Sequence, residues 1–376
     1  MASRHEPWKS SLPRPSERWT CPRIRNNLRG VGPSFLVVRL SSLGDLVHTL
    51  PAVSALRRGF PDARIDWLVE KRHSEVLRDN PDIDELIEVD TLTWRRRLLS
   101  TRTWSEIRSG IQKIRGRRYD AVLDLQGTIK SSVSSFLARG NRRIGFADDQ
   151  LKERVAGWLY TERVHPNGNR AHAIDRHLYL LTALGVESDR RSFPIAVSEE
   201  VESVGRATLS GLGLTDFVVV NPGGSWSTKR WSSEKFGALA AAIYREWELP
   251  TLITWGPGEQ SLAREVAEAS ASAAQVAPAT SLREMMPLIR KARLLVSGDT
   301  GPMHVASALG VPVVGIFGPT DPARNGPFGE ADEVVLKTVA CGPCYKQRCP
   351  GFGNVCMTSI EVEDVLSAVR RKLGAR

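Results

Sequence analysis

Two segments of the chain set small residues, hydroxyls and charges in the pattern of an anion site. The first, Ser297-Gly-Asp-Thr-Gly-Pro-Met-His304, follows the apolar run Leu294-Leu-Val296 and leads into Val-Ala-Ser-Ala-Leu-Gly310. A strand that turns through glycine into a helix brings unpaired backbone N–H groups and the positive end of the helix dipole to a ligand. Asp299 and Thr300 are expected to cap that helix, Pro302 suits its first turn, and Gly310 marks its end. The second segment, Asn221-Pro-Gly-Gly-Ser-Trp-Ser-Thr-Lys-Arg-Trp231, leaves another apolar run, Phe217-Val-Val-Val-Asn221. Backbone amides near Gly223 and Gly224, the Ser225 hydroxyl and the Lys229 ammonium suit phosphate oxygens. An anion such as a diphosphate is what these two loops predict; the alternatives are a plain helix cap at Asp299 with His304 packed beneath it, and a solvated turn at 221–231.

A proton acceptor is predicted elsewhere. Asp45 follows the apolar run Phe35-Leu-Val-Val-Arg-Leu40 through Ser41-Ser-Leu-Gly44, so it projects from a strand's carboxyl edge. A carboxylate there can deprotonate an attacking hydroxyl within hydrogen-bond reach; the plainer reading is a helix cap. His48, three residues on, either orients Asp45 or packs. Trp255-Gly-Pro-Gly-Glu-Gln260 opens like a dinucleotide fingerprint but lacks the third glycine and the later acid, which argues against a nicotinamide enzyme. Glu259 is read as a ribose or base contact, with a helix-start acid as its alternative. No G-x-x-x-x-G-K-[ST] occurs, which excludes a P-loop kinase or ATPase. Cys341, Cys344, Cys349 and Cys356 lie close in sequence, but their spacing departs from the paired C-x2-C of zinc sites. They are read as a thiol-lined loop with no metal, with a zinc or iron–sulfur site as the alternative.

These residues need strands to hold them. Strands are predicted at 35–40, 64–69, 85–89 and 121–124, and helices near 105–114, 129–138, 152–160 and 171–184. After a polar stretch the alternation restarts with a strand at 217–221, a helix at 233–247, a strand at 251–255 and a helix at 259–270. A helix at 281–291, the strand at 294, the helix from Pro302, the strand at 311 and a final amphipathic helix at 360–373 complete it. Each half is a βα series, which predicts the α/β class with mostly parallel sheets. Such sheets bind ligands beyond the carboxyl ends of their strands, so two facing sheets make a cleft with donor in the second half and acceptor in the first. Residues 34–193 and 217–376 are expected as the two domains, 194–216 as a linker, and the last helix as packing back on the first domain.

Of 376 residues, 41% are apolar and 25% charged, ordinary for globular domains. No apolar run approaches the ~20 residues of a membrane span. The net charge of +10 is uneven: residues 1–33 contribute +5 and residues 93–118 contribute +8, which leaves −3 for the remainder. Residues 1–33 are read as a basic disordered extension, not a signal peptide, and the protein is placed in the cytoplasm. The second basic segment interleaves Arg95, Arg96, Arg97 and Arg102 with Trp94 and Trp104. It suits anionic headgroups; a nucleic-acid patch or a solvated helix with inward tryptophans are its alternatives.

Five ordered motifs are similar to one family: Arg39-Leu-Ser-Ser-Leu-Gly-Asp-Leu-Val-His-Thr-Leu-Pro51, Asp124-Leu-Gln-Gly-Thr-Ile-Lys130, Asn221-Pro-Gly-Gly224, Ser297 to His304, and Phe317-Gly-Pro-Thr320. Together they resemble the lipopolysaccharide heptosyltransferases of glycosyltransferase family 9, from about Phe35 to the last helix. Arg143-Ile-Gly-Phe146 and His172-Ala-Ile-Asp-Arg176 look more like heptosyltransferase I than II, whereas the cysteine loop is similar to one often met in II-type members. The resemblance implies a GT-B fold, two Rossmann-like domains with parallel sheets facing across a cleft. It implies an inverting transfer of heptose from ADP-heptose to the Kdo region of lipid A, with no cofactor required. Work at the inner face of the cytoplasmic membrane as a peripheral protein follows, with no nucleic acid as partner. Asp45 and Lys229 would be catalytic. Gly224, Ser225, Lys229, Glu259, Asp299, Thr300, Gly301 and His304 would bind the donor. Ser42, Gly44, His48, Gln126, Lys130 and Arg143 would face the acceptor. Where family members often carry a threonine pair in the 221 loop, this chain has Gly224-Ser225.

Overall fold

The computed structural model describes residues 32–97, 99–166, 172–351 and 353–374. The expected basic extension lies, but for two residues, outside them. The first half holds strands β1 (Ser34–Val38), β2 (Arg64–Glu70), β3 (Glu85–Val89), β4 (Arg118–Asp124), β5 (Arg139–Phe146) and β6 (Glu162–Val164). Its helices are α1 (Leu43–Gly59), α2 (Thr91–Arg96), α3 (Thr101–Arg115), α4 (Ile129–Leu137) and α5 (Ala173–Leu180). The second half holds β7 (Val218–Asn221), β8 (Thr251–Ile253), β9 (Ala274–Val276), β10 (Leu294–Gly298), β11 (Val313–Phe317) and β12 (Glu333–Leu336). Its helices are α6 (Glu199–Gly211), α7 (Ser233–Trp247), α8 (Gln260–Glu268), α9 (Leu282–Lys291), α10 (Gly301–Ala308), α11 (Pro322–Asn325), α12 (Val355–Thr358) and α13 (Val362–Leu373).

Each half forms one six-stranded sheet, in the orders β3-β2-β1-β4-β5-β6 and β9-β8-β7-β10-β11-β12. All pairings are parallel, and the two halves repeat one topology. The order reverses between β1 and β4 and again between β7 and β10. Asp45 follows β1, and the 223 and 299 loops follow β7 and β10, so all three leave switch points, where parallel sheets receive ligands.

The central strands are apolar on both faces. Phe35, Leu36, Val37 and Val38 are fully buried, as are Val218, Val219 and Val220, because helices cover both sides. Val305 from α10 and Met286 from α9 join the core cluster of the first half. The halves therefore meet through apolar contact as well as through Arg283 Nη2, 2.6 Å from Asp79 Oδ2.

Several expectations fail. The presumed linker contains α6, whose Leu209 joins Leu214, Phe217 and Leu288 in the second core, and whose Gly205 lies against Pro287. The last helix does not pack back on the first domain. Val365, Leu366, Ala368 and Val369 of α13 continue the second core beside Trp231 and Phe236, and Trp247 Nε1 donates to Gly374 O at 3.0 Å. The helix expected near 152–160 is a 3₁₀ turn at Arg154–Leu159, whereas the one expected over 171–184 is met by α5 and a 3₁₀ turn, Leu181–Leu184, that continues it. No helix among the described residues is long and apolar enough to cross a membrane.

Candidate functional site

Two helix starts meet at the centre of the molecule. A Cβ built at Gly44, in the first turn of α1, would lie 2.3 Å from His304 Cδ2, and one at Gly301, the first residue of α10, 2.5 Å from Leu43 Cδ2. Only glycine permits either approach. The positive ends of α1 and α10 thus converge, one from each half, beside the loop of residues 223–229.

Asp45 occupies the first turn of α1. Its Oδ2 accepts from the Ser42 backbone N–H at 2.9 Å and from the Ser42 hydroxyl at 2.8 Å, completing a capping box. Its Oδ1 lies 2.5 Å from Arg39 Nη2. Desolvation pushes the carboxyl pKa up, but the Arg39 guanidinium and the Ser42 bonds prevail and hold it below the usual range. The side chain stays 36% exposed, so an ionised, oriented carboxylate reaches the cleft. Ser42, not Asp45, is the N-cap residue; Asp45 is the N3 member of the capping box and keeps a solvent-facing edge. Arg39 lies six residues upstream in the same motif, and its other nitrogen, Nη1, donates to Leu125 O.

Asp299 is an organiser at the start of α10. Its Oδ2 takes Lys229 Nζ at 2.6 Å and the Thr320 hydroxyl at 2.7 Å, and its Oδ1 faces His304 Nε2 at 3.4 Å. Burial would raise its pKa, yet the His304 hydrogen bond and the Lys229 charge hold it far below the carboxylate range. Thr300 is the N-cap residue of α10, as expected, but it makes no side-chain cap bond, because its hydroxyl pairs with Ser297 Oγ at 2.9 Å; Asp299 lies one residue before it and turns to Lys229, Thr320 and His304. The first N–H groups of α10 therefore have no side-chain cap. Lys229 Nζ also lies 4.5 Å from the centre of the Trp226 ring, and Ser225 is exposed beside it.

Glu259 is the N-cap residue of α8, the helix-start alternative to a ribose or base contact. Its Oε1 accepts from Gly224 N at 2.8 Å and its Oε2 from Gly256 N at 3.0 Å, so it ties the 223 loop to the loop after β8. His304 is 4% exposed and wedged between the halves, its ring 4.4 Å from that of His48. His48 is 2% exposed with both ring nitrogens unpartnered, and burial followed by the charge of neighbouring imidazoles drives its pKa well below the ordinary histidine value. It neither touches Asp45 nor opens to an acceptor.

The remaining first-half residues divide. Ser42 and Gln126 shape the Asp45 loop, Gln126 Oε1 accepting from Leu40 N at 2.7 Å. Lys130 Nζ reaches the buried Glu70 at 2.9 Å and the Thr91 hydroxyl at 3.2 Å. Arg143 sits mid-strand, its Nε donating to Leu159 O at 2.8 Å and its guanidinium 5.6 Å from the Phe136 ring. A cation not singled out by the sequence reading is Arg176, 5.2 Å from the Phe146 ring, with its Nε buried and unpartnered. Burial and the charges of Arg324 and Arg39 bring it down to about 10. Arg39, Arg176 and Arg324 therefore share one positive field across the two halves.

Among the described residues no group of three or more His, Cys, Asp or Glu side chains is placed to hold a metal ion. Cys341 is exposed and Cys356 buried.

The family description "Glycosyltransferase family 9 (heptosyltransferase)" matches residues 107–352. Lipopolysaccharide heptosyltransferase 1 of Pseudomonas aeruginosa is 32% identical over 322 residues, 84% of this chain and 86% of that protein. The enzyme of the same name from Escherichia coli K12 is 28% identical, covering 78% of this chain and 91% of its own length. Among solved structures, E. coli heptosyltransferase WaaC with ADP is similar with a TM-score of 0.71 at 26% identity, over 90% of this chain and 99% of that one. E. coli ADP-heptose lps heptosyltransferase II shares the fold, with a TM-score of 0.69 at 21% identity over 90% and 98% of the two chains.

Proposed function

The chain belongs to glycosyltransferase family 9 and is a GT-B glycosyltransferase, and on that footing we propose that it moves heptose from ADP-heptose to the Kdo region of lipid A, in assembly of the lipopolysaccharide inner core. The observation that carries this reading is the convergence of an ionised carboxylate, Asp45, with an uncapped helix start that holds a cation, Lys229. One group accepts a proton and the other meets a departing diphosphate.

In this mechanism Asp45 accepts the proton of an acceptor hydroxyl as that oxygen attacks the anomeric carbon. The bond to ADP breaks on the opposite face, which inverts the centre without a covalent intermediate. Negative charge appearing on the diphosphate is met by Lys229, the Ser225 hydroxyl and the first N–H groups of α10, donors that typically contribute ~3 kcal/mol each to the transition state. Asp299 already spends both oxygens on protein donors, so it positions Lys229 and does not face the diphosphate. Glu259 holds the 223 loop in the shape that lets Gly224 and Ser225 approach the donor. Arg176, with the field of Arg39 and Arg324, suits the carboxylates of an acidic sugar acceptor. The displacement calls on no cofactor beyond the nucleotide sugar, and the site of work is the inner face of the cytoplasmic membrane, where the chain acts as a peripheral protein.

The test is to offer the purified protein a panel of nucleotide sugars with Kdo-lipid A and weigh the products. Gain of one heptosyl mass from ADP-heptose alone supports the reading. Transfer of another sugar in its place, or of none, removes it.

A further inference from the structure

Helix α4 is inside out. Ser131, Ser132 and Ser135 are fully buried, their hydroxyls donating to Thr128 O, Ile129 O and Ser131 O at 2.9, 3.1 and 2.9 Å. Ile129, Val133 and Phe136, at positions i, i+4 and i+7, stand 48%, 42% and 55% exposed. A helix on a sheet in water presents its apolar stripe inward; here the stripe faces away.

Its neighbours extend the same surface. The 3₁₀ turn at Arg154–Leu159 packs beside α4 and exposes Val155 and Trp158, the latter at 74%. Helix α3 also touches α4 and exposes Trp104 at 60% above a groove of about 540 Å³ lined by Ile107, Ile111, Arg108, Arg115 and Arg139. Seven of the thirteen exposed large apolar side chains among the described residues lie between Leu99 and Trp158, so the patch is local and not a general property of the surface. Its fringe is cationic. Residues 93–118 carry nine basic residues and one acid, Glu106, whose Oε1 accepts from Arg102 Nε at 3.0 Å.

We propose that the face formed by α3, α4 and the Arg154–Leu159 turn docks on an anionic lipid bilayer, with Trp104, Val133, Phe136 and Trp158 entering the interface and the arginines meeting headgroups. Tryptophan at a polar-apolar boundary with arginine around it is the chemistry of an interfacial surface. A second copy of this chain would bring the same arginines against one another, which disfavours it as the occupant. Position supports a bilayer too. Helix α4 starts at Ile129, five residues past Asp124 at the end of β4, and β4 adjoins the strand that leads to Asp45. Docking by this face brings the start of α4, and the end of β4 beside the strand that leads to Asp45, toward the bilayer; that this serves the reaction rests on the reading of the acceptor as a lipid-borne sugar, whereas binding itself does not.

The experiment is sedimentation of the full chain with vesicles of phosphatidylglycerol and phosphatidylethanolamine, and with phosphatidylcholine alone. The wild-type chain is expected to bind the anionic vesicles, to release them as salt rises, and to leave the neutral ones. Val133→Ser with Trp158→Ser should weaken binding about tenfold or more, with unchanged turnover on a soluble acceptor fragment. Amide exchange on the wild type, needing no variant, should slow across 129–137 when anionic vesicles are added. Equal binding to both vesicle types, undiminished binding by the double variant, or a dimer that the variant dissociates would each overturn the proposal. Vesicle binding without heptose transfer would leave it standing while removing the proposed activity; transfer to a soluble acceptor without vesicle binding would do the reverse.

Discussion

Arg39 Nη2 stands 2.5 Å from Asp45 Oδ1, at the end of β1 where the chain turns into α1. The pair fixes the carboxylate's aim and its charge state together. Because Arg39 holds the Asp45 pKa down, the acid limb of the kcat/KM profile should lie below the ordinary aspartate value of ~3.9. Arg39→Met should move that limb upward, since the cation that favours the charged form is gone. A limb that stays in place in the variant would detach it from Asp45.

Lys229 and Asp299 form the second pair. Lys229→Met leaves a buried carboxylate with Thr320 and His304 alone, and breaking such a pair costs ~3–5 kcal/mol of stability. The same change removes a cation from the leaving diphosphate and should lower kcat by about 10²–10³-fold. Asp299→Asn keeps the shape but frees Lys229, so donor KM is expected to rise while Tm falls less than in Lys229→Met. Calorimetry beside steady-state kinetics separates the two effects.

The contact between the halves predicts a rescue. In Gly44→Ala the new methyl would lie 2.3 Å from His304 Cδ2, and overpacking of this kind costs ~1–3 kcal/mol. His304→Ala removes the obstructing ring. The double variant should recover Tm relative to Gly44→Ala alone, a coupling that a double-mutant cycle measures. Strict additivity would mean that the two helix starts do not touch in solution.

Buried imidazoles set a stability window. His48 and His172 have lowered pKa values and His177 falls to about 3, all with burial as the first cause. The unfolded chain protonates these side chains below ~6.5 while the folded chain does not, so each contributes stability that is complete above that pH and is lost as pH falls, at up to ~1.4 kcal/mol per pH unit. Tm should drop steeply from pH 7 to 5, and His177→Phe should flatten the slope.

Glu259→Gln tests the loop tether. One amide can accept from either Gly224 N or Gly256 N through its oxygen, but its NH2 opposes the other donor, at a cost of ~1–3 kcal/mol. Donor KM should rise while kcat at saturation changes less. An unchanged KM would separate the loop's shape from donor binding.

Much of this site was legible because it is local in sequence. The 221 and 297 loops and Asp45 each follow an apolar run within a few residues, and glycine, hydroxyl and charge speak for themselves there. What escaped depends on partners distant in sequence. Strand β5, Arg139-Gly-Asn-Arg-Arg-Ile-Gly-Phe146, carries too little apolar pattern to be read as a strand, and it forms because β4 and β6 flank it. The helix-start position of Glu259 can be read in its sequence, but its ties to Gly224 N and Gly256 N cannot, since they depend on how the loops after β7 and β8 meet. Helix α6 was hidden in a polar stretch because its inward face is little more than Glu202, Gly205 and Leu209, and Gly205 is there to admit Pro287. In the Asp299 loop the carboxylate turns inward to Lys229, Thr320 and His304, partners that sequence order does not bring together, while the start of α10 has no side-chain cap.

The most direct test of the account is single-turnover transfer by Asp45→Asn, with ADP binding measured on the same preparation. The account predicts that transfer from ADP-heptose falls by about 10²–10⁴-fold while ADP affinity stays within a few-fold of the wild type, because the carboxylate serves the attacking hydroxyl and the donor is held by the other half. Transfer at the wild-type rate in that variant would contradict it.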